Sequence, residues 1–186
     1  MAPVFVRRAF ALGVLLATVV PAIPAEAREA TGCVVGKWRL VSVKGYYRSD
    51  DGDRIDRSGA SGVRLTIGKK KAFFTFTGSK PLMFHGTFAA TGPTSWKVVY
   101  RGKLQIGVSS TAKLLSFKDT SARGNATSTS DGDTTPLAGE LRKGVREYLV
   151  PDGSRYTCTK QRLVTKVKLN MLGVRTGDTL TFRRIP

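Results

Sequence analysis

From residue 28 onward, apolar and polar positions alternate one by one in short runs, and turn residues interrupt the runs about every ten positions. Leu163, Thr165, Val167 and Leu169 share one parity, with Lys166 and Lys168 on the other. Val63, Leu65 and Ile67 repeat the scheme around Arg64 and Thr66, and Phe74 and Phe76 do so around Thr75. Trp96, Val98 and Tyr100 alternate with Lys97, Val99 and Arg101; Leu104, Ile106 and Val108 follow, then Leu180 and Phe182 near the end. Successive side chains of a strand point to opposite faces, so each run has one face suited to a core. Helical periodicity is almost absent. The pattern predicts an all-β chain, an antiparallel up-and-down barrel of about eight to ten strands, since closing so long a meander removes its exposed edges.

The turns are read from Gly, Pro and Asp. Asp152-Gly153 after Pro151 separates an expected strand at 145–150 from one at 154–160, Gly68 to Lys71 separates two others, and Gly177-Asp178 is expected to divide the last two runs. Segments 48–61 and 119–136 break the rhythm. They are polar, rich in Asp, Gly, Ser and Thr, and are expected as mobile loops. No internal repeat or second domain is visible.

The first residues follow a different rule. Arg7 and Arg8 precede an apolar run over 9–20, Pro21 ends it, and Ala25-Glu26-Ala27 supplies a small-x-small cleavage pattern. About a dozen apolar residues fall short of the roughly 20 that a spanning helix needs. Residues 1–27 therefore read as a cleaved export signal and 28–186 as a single exported domain, secreted or held in the cell envelope, with no transmembrane segment. Without the signal the formal charge falls only from +18 to about +17, because the signal carries two arginines and one glutamate. Such a field draws in polyanions, anionic head groups and wall polymers; nucleic acid is a remote partner for an exported chain.

Two cysteines remain, Cys33 and Cys158. Outside the cytosol two cysteines most simply form one disulfide, which requires the first strand and a late one to be neighbours. Lipidation is the competing reading of Cys33, because Ala30-Thr31-Gly32-Cys33 loosely resembles a lipobox. Asn125-Ala126-Thr127 fits a glycosylation acceptor.

Gly36-Lys37-Trp38 at the head of the first strand resembles the start of lipocalin and calycin barrels. Leu180-Thr181-Phe182-Arg183-Arg184 is similar to that family's last strand, and Tyr156-Thr157-Cys158 before an alternating run resembles small secreted bacterial lipocalin-like domains. The resemblance implies that Trp38 closes the bottom of the barrel, that a basic residue of the last strand covers its indole, and that Gly36 admits close backbone approach. Arg184 shares its face with Leu180 and Phe182 and is the expected cover. Trp38 and Leu40 share one parity while Val41 and Val43 take the other, so a β-bulge is expected after Leu40.

Catalytic chemistry finds little footing. His85 is the only histidine and is expected at a strand–turn junction on the surface; no Ser/His/Asp set is visible. One His and two paired Cys do not make a zinc site. The Asp50-Asp51-Gly52-Asp53 run lacks the spacing of a calcium loop. No metal, no cofactor and no enzymatic activity are expected. The expected function is non-catalytic: carrying or sensing a small hydrophobic ligand, a fatty-acid-like anion included, inside a barrel lined by Phe74, Phe76, Phe88, Trp96 and Tyr100. The alternative is an envelope-associated basic protein that binds anionic wall polymers or lipids through Lys69, Lys70, Lys71, Lys166 and Lys168.

Overall fold

The computed structural model describes residues 32–186. The expected export segment, 1–27, lies outside them. No described helix is long and apolar enough to cross a membrane.

Thirteen strand segments form one continuous antiparallel sheet. β1 (Gly36–Ser49) is long and bent. Its second half pairs with β2 (Arg54–Gly59) and its first half with β3 (Arg64–Ile67), so β2 and β3 are two pieces of one ribbon returning along β1. The division repeats along the chain. β4 (Lys71–Thr75) pairs with β3 and β5 (Leu82–Phe88) with β2; β6 (Gly92–Arg101) lies beside β5, and β7 (Lys103–Ser110) beside β4. β8 (Leu114–Gly124) pairs with β7 and β9 (Thr127–Ser130) with β6. β10 (Asp133–Pro136) and β11 (Ser154–Cys158) are separated by the helix α1 (Leu137–Arg142) and residues 143–153. β12 (Arg162–Met171) and β13 (Val174–Arg184) complete the meander.

β13 pairs along β1, and β1 also pairs with β3, so the sheet closes on itself as an eight-stranded barrel of β1, β3, β4, β7, β8, β11, β12 and β13. The pieces β2, β5, β6, β9 and β10 prolong the wall at one end, where β10 does not reach β12. The turns at 50–53, 89–91, 131–132 and 172–173 ring this open end, and those at 68–70, 111–113 and 159–161 ring the other, with the start of the described chain. The expected bulge is present: the β1–β13 register shifts between Leu40 and Ser42, which puts Val41 outside and Val43 in the core.

The core follows the alternation. Leu65, Ile67, Phe74, Leu104, Ile106, Leu163, Leu180 and Phe182 are all buried. The closed half of the interior is filled by rings: Phe74 stacks on Phe76 at 6.0 Å, Phe117 meets Phe74 edge-on at 5.5 Å, and Tyr100 lies over Phe76 at 5.5 Å.

Four expectations are corrected. Segment 48–61 is not a loop, because β2 lies within it with strands on both sides, and Arg57 is buried where an apolar residue would ordinarily signal a strand. Segment 119–136 likewise contains the end of β8, β9 and β10; Thr and Ser make acceptable half-buried strands once a neighbour completes the ladder. The run at 145–150 is not a strand but an irregular segment whose Leu149 and Val150 turn into the core. Gly177-Asp178 is no turn: both lie inside β13, opposite Tyr46 and Gly45, and the actual turn is Leu172-Gly173.

Candidate functional site

The closed end is built from the residues that resemble the barrel family's signature. Trp38 is fully buried and donates its indole N–H to Val34 O at 2.9 Å. The Arg184 guanidinium lies 4.2 Å from the centre of the Trp38 ring and donates to Val35 O at 3.1 Å and Cys33 O at 2.6 Å. A side chain at Gly36 would collide with that guanidinium, so only glycine fits there. Cys33 and Cys158 are joined, with Cα atoms 5.9 Å apart, which leaves no sulfur at Cys33 for a lipid. This end is a structural plug.

The opposite end holds a cleft of about 390 Å³. One wall is the barrel itself, with Val167 and Leu169 on β12 and Thr176 and Asp178 on β13. The other is the 143–153 segment, which fills the gap between β10 and β12. Leu141, Leu149 and Val150 anchor that wall in the core. Tyr148 also lines the cleft: its ring sits 4.8 Å from the Arg57 guanidinium and meets Phe84 edge-on at 5.3 Å.

Below Tyr148 lies a buried ion pair. Arg57, 4% exposed, donates to Asp178 Oδ1 at 2.8 Å, to Tyr46 O at 2.8 Å and to Thr176 Oγ1 at 3.1 Å. The register places Gly45 between the two partners, and a side chain there would occupy the space where they meet. Burial pushes the Asp178 carboxyl upward, and the Arg57 hydrogen bond and charge oppose the shift. Asp119 is raised by burial and then by Asp152, with Arg146 pulling it down; its Oδ1 is buried without a hydrogen-bond partner among the described residues. Glu147 is pushed up to about 7, first by burial and also by the charge of Glu140, against the Tyr100 hydrogen bond that favours ionisation. Tyr100 donates to Glu147 Oε2 at 3.4 Å, and burial followed by the Glu147 charge raises the phenol well above its ordinary value. Asp152 accepts the Phe117 N–H at 2.9 Å. The cleft is therefore part apolar and part carboxylate within a strongly basic protein.

The expected ligand-lining residues lie elsewhere. Phe74, Phe76 and Tyr100 are consumed by packing, and Trp96 stacks between Phe84, at 4.9 Å, and Phe88, at 6.5 Å; none of the five lines the cleft. The expected basic residues form two groups. Lys69 and Lys70 belong to the β3–β4 turn and Lys71 opens β4, while Lys166 and Lys168 lie outside on β12, with β1 and β13 between the groups. Asn125 accepts the Lys103 N–H through its side-chain oxygen at 2.9 Å. Arg57, Asp178, Asp119 and Glu147 had no sequence signal, since their partners are distant along the chain or lie in segments without alternation.

His85 sits in the middle of β5, not at a strand–turn junction. The register puts Asp56, His85 and Ser95 side by side on three adjacent strands, and His85 Nδ1 is 2.9 Å from Ser95 Oγ. The resemblance to a nucleophilic triad stops there. Asp56 is bound to Arg48 at 2.6 Å instead, and all three side chains stand exposed on the outer face, where nothing excludes water. No group of three or more potential metal ligands converges among the described residues.

No protein-family model, curated protein or solved structure matches the chain.

Proposed function

We propose that this chain is an exported, lipocalin-like, non-catalytic binding protein whose open-end cleft takes a small amphiphile with a hydrogen-bond-donating, basic end. The observation that carries this reading is the cleft itself: about 390 Å³, with apolar walls from Val167, Leu169 and Val150 and an unpartnered, buried Asp119 oxygen. Pockets of this size, mostly apolar with a few placed polar groups, are the usual form of small-ligand sites. Asp119, Glu147, Asp152 and Asp178 face the cleft against Arg146, and Arg57 is already used by Asp178. A fatty-acid-like anion would meet carboxylates there, so the donor-bearing ligand replaces the anionic one. The plug of Trp38, Arg184 and Gly36 supports kinship with the lipocalin-like barrels, and the disulfide supports export.

The test is titration with two fluorescent amphiphiles that share a tail, one ending in an amine and one in a carboxylate. The amine probe should bind more tightly, Asp119→Asn should shrink the difference, and Val167→Trp should abolish binding by filling the cleft. Equal or tighter binding of the carboxylate probe, or binding indifferent to Val167→Trp, would remove the reading.

A further inference from the structure

The outer wall carries a line of arginines that the sequence order hides. Arg64 on β3 is the cross-strand partner of Arg39 on β1; Arg39 is also the partner of Arg183 on β13, and Arg183 of Arg162 on β12. Direct cross-strand partners point to the same side of a sheet, and all four are exposed. The line continues through Thr75 on β4, opposite Arg64, to Lys103 on β7, opposite Thr75. It crosses six adjacent strands without one acidic residue. β1, β3, β4, β7 and β12 contain none, and the single acid of β13, Asp178, is turned inward to Arg57. None of the four arginines forms an ion pair with a described residue. Like charges directly opposite destabilise a sheet, so a ladder of four has a folding cost that an anionic partner would remove.

The ends of the barrel divide charge in the same sense. The turns at the closed end hold Lys69, Lys70, Lys113 and Lys160 and no acid; those at the open end hold Asp50, Asp51, Asp53 and Asp131 and no cation. The turns of the closed end are thus uniformly basic, like the stripe beside them, and those of the open end acidic.

We infer that this arginine stripe is a docking track for a linear, phosphate-bearing polyanion. Strands lie about 4.8 Å apart, so the four arginines span about 14 Å of arc. They occupy four neighbouring strands of an eight-stranded ring, more than a third of its circumference. A flat bilayer meets only part of such a curve, whereas a flexible chain follows it. Arginine dominates the stripe, and its fork binds oxyanions in a bidentate manner. The oxygens of a phosphate diverge, so one phosphate bridges two guanidiniums a strand apart, while a carboxylate presents its two oxygens in one plane to a single fork. The track is independent of the cleft and of whatever ligand the cleft takes.

The probe is short-chain inorganic polyphosphate carrying a fluorophore, titrated into the disulfide-bonded protein by anisotropy at several salt concentrations. The Arg39→Gln/Arg183→Gln variant should bind about tenfold more weakly at low ionic strength. Its log–log salt slope should shrink by about 1.4, since each phosphate that an arginine no longer neutralises removes about 0.7. The charge-matched control Lys97→Gln/Arg101→Gln, on exposed positions of β6, should bind as the unmodified protein does. The arginine variant should also melt no lower than the parent, which separates lost docking from lost folding. Equal weakening in the control would reduce the effect to net charge and overturn the track. Tighter binding to phosphatidylglycerol vesicles than to polyphosphate, or equal binding of a polyuronate, would overturn the choice of partner.

Discussion

Glu147 shows how one residue ties the fold to solution conditions. Its carboxyl is raised from 4.5 to about 7, chiefly by burial, so the folded protein holds a proton there that the unfolded chain releases at lower pH. The sign follows from linkage: the native state binds more protons between these values, so stability is full below about 4.5 and falls as pH rises through about 7. The upper limit of the loss is about 3 kcal/mol, less whatever water at the cleft screens. The raised Asp119 and Asp178 act in the same direction at lower pH. The protection factors of the 143–153 amides, corrected for intrinsic exchange, should fall between pH 5 and pH 8, and Glu147→Gln should flatten that fall; an unchanged profile in the variant would place the titration elsewhere. At this scale the sequence is legible where a residue type carries its own meaning. Two cysteines in a chain that reads as exported and a glycine two before a tryptophan are such signals, and the structure brings Cys33 to Cys158 and Arg184 onto Trp38. The Arg57–Asp178 pair, 121 residues apart, has no local signature at all.

Strands announce themselves when one face is apolar, as in β3, β4, β7 and β12. β2 is hidden because its inward position is an arginine, and β9 and β10 because their faces are Ser and Thr. The last turn was obscured by a second glycine. Gly177 lies under the Tyr46 ring within β13, whereas the β12–β13 hairpin turns at Leu172-Gly173. Leu172 has φ +33° and is fully exposed. Tight two-residue hairpins favour Asn-Gly, since asparagine tolerates positive φ and leucine does not. Leu172→Asn should therefore raise stability, by roughly 0.5–1 kcal/mol on the scale of compatible turn substitutions, measured by urea unfolding. A loss of stability would overturn the account of strain at this turn.

For the whole molecule, the disulfide closes a loop of 125 residues and ties the short 3-10 turn just before β1 (Gly32–Val34) to the end of β11. The chain-entropy relation gives about 4–5 kcal/mol for such a loop as an upper figure. Reduction, or Cys33→Ser/Cys158→Ser, should lower the thermal midpoint markedly while leaving the barrel folded below it, since Cys158 only packs against the edge of the buried core and the β1–β13 ladder contains neither cysteine. A midpoint that does not move on reduction would mean the ladder alone holds the ends. Closure of the sheet was legible from strand number and edge avoidance. The insertion of 143–153 as a second wall was not, because it depends on β10 stopping short of β12.

The indole, the guanidinium above it and the bridged sulfurs seal one pole of this barrel. Such a vessel has a floor and no drain. A molecule lodged at the other pole must depart through the opening that admitted it, past a wall that Leu149 and Val150 pin to the interior, so entry and exit share one path and whatever narrows it slows both.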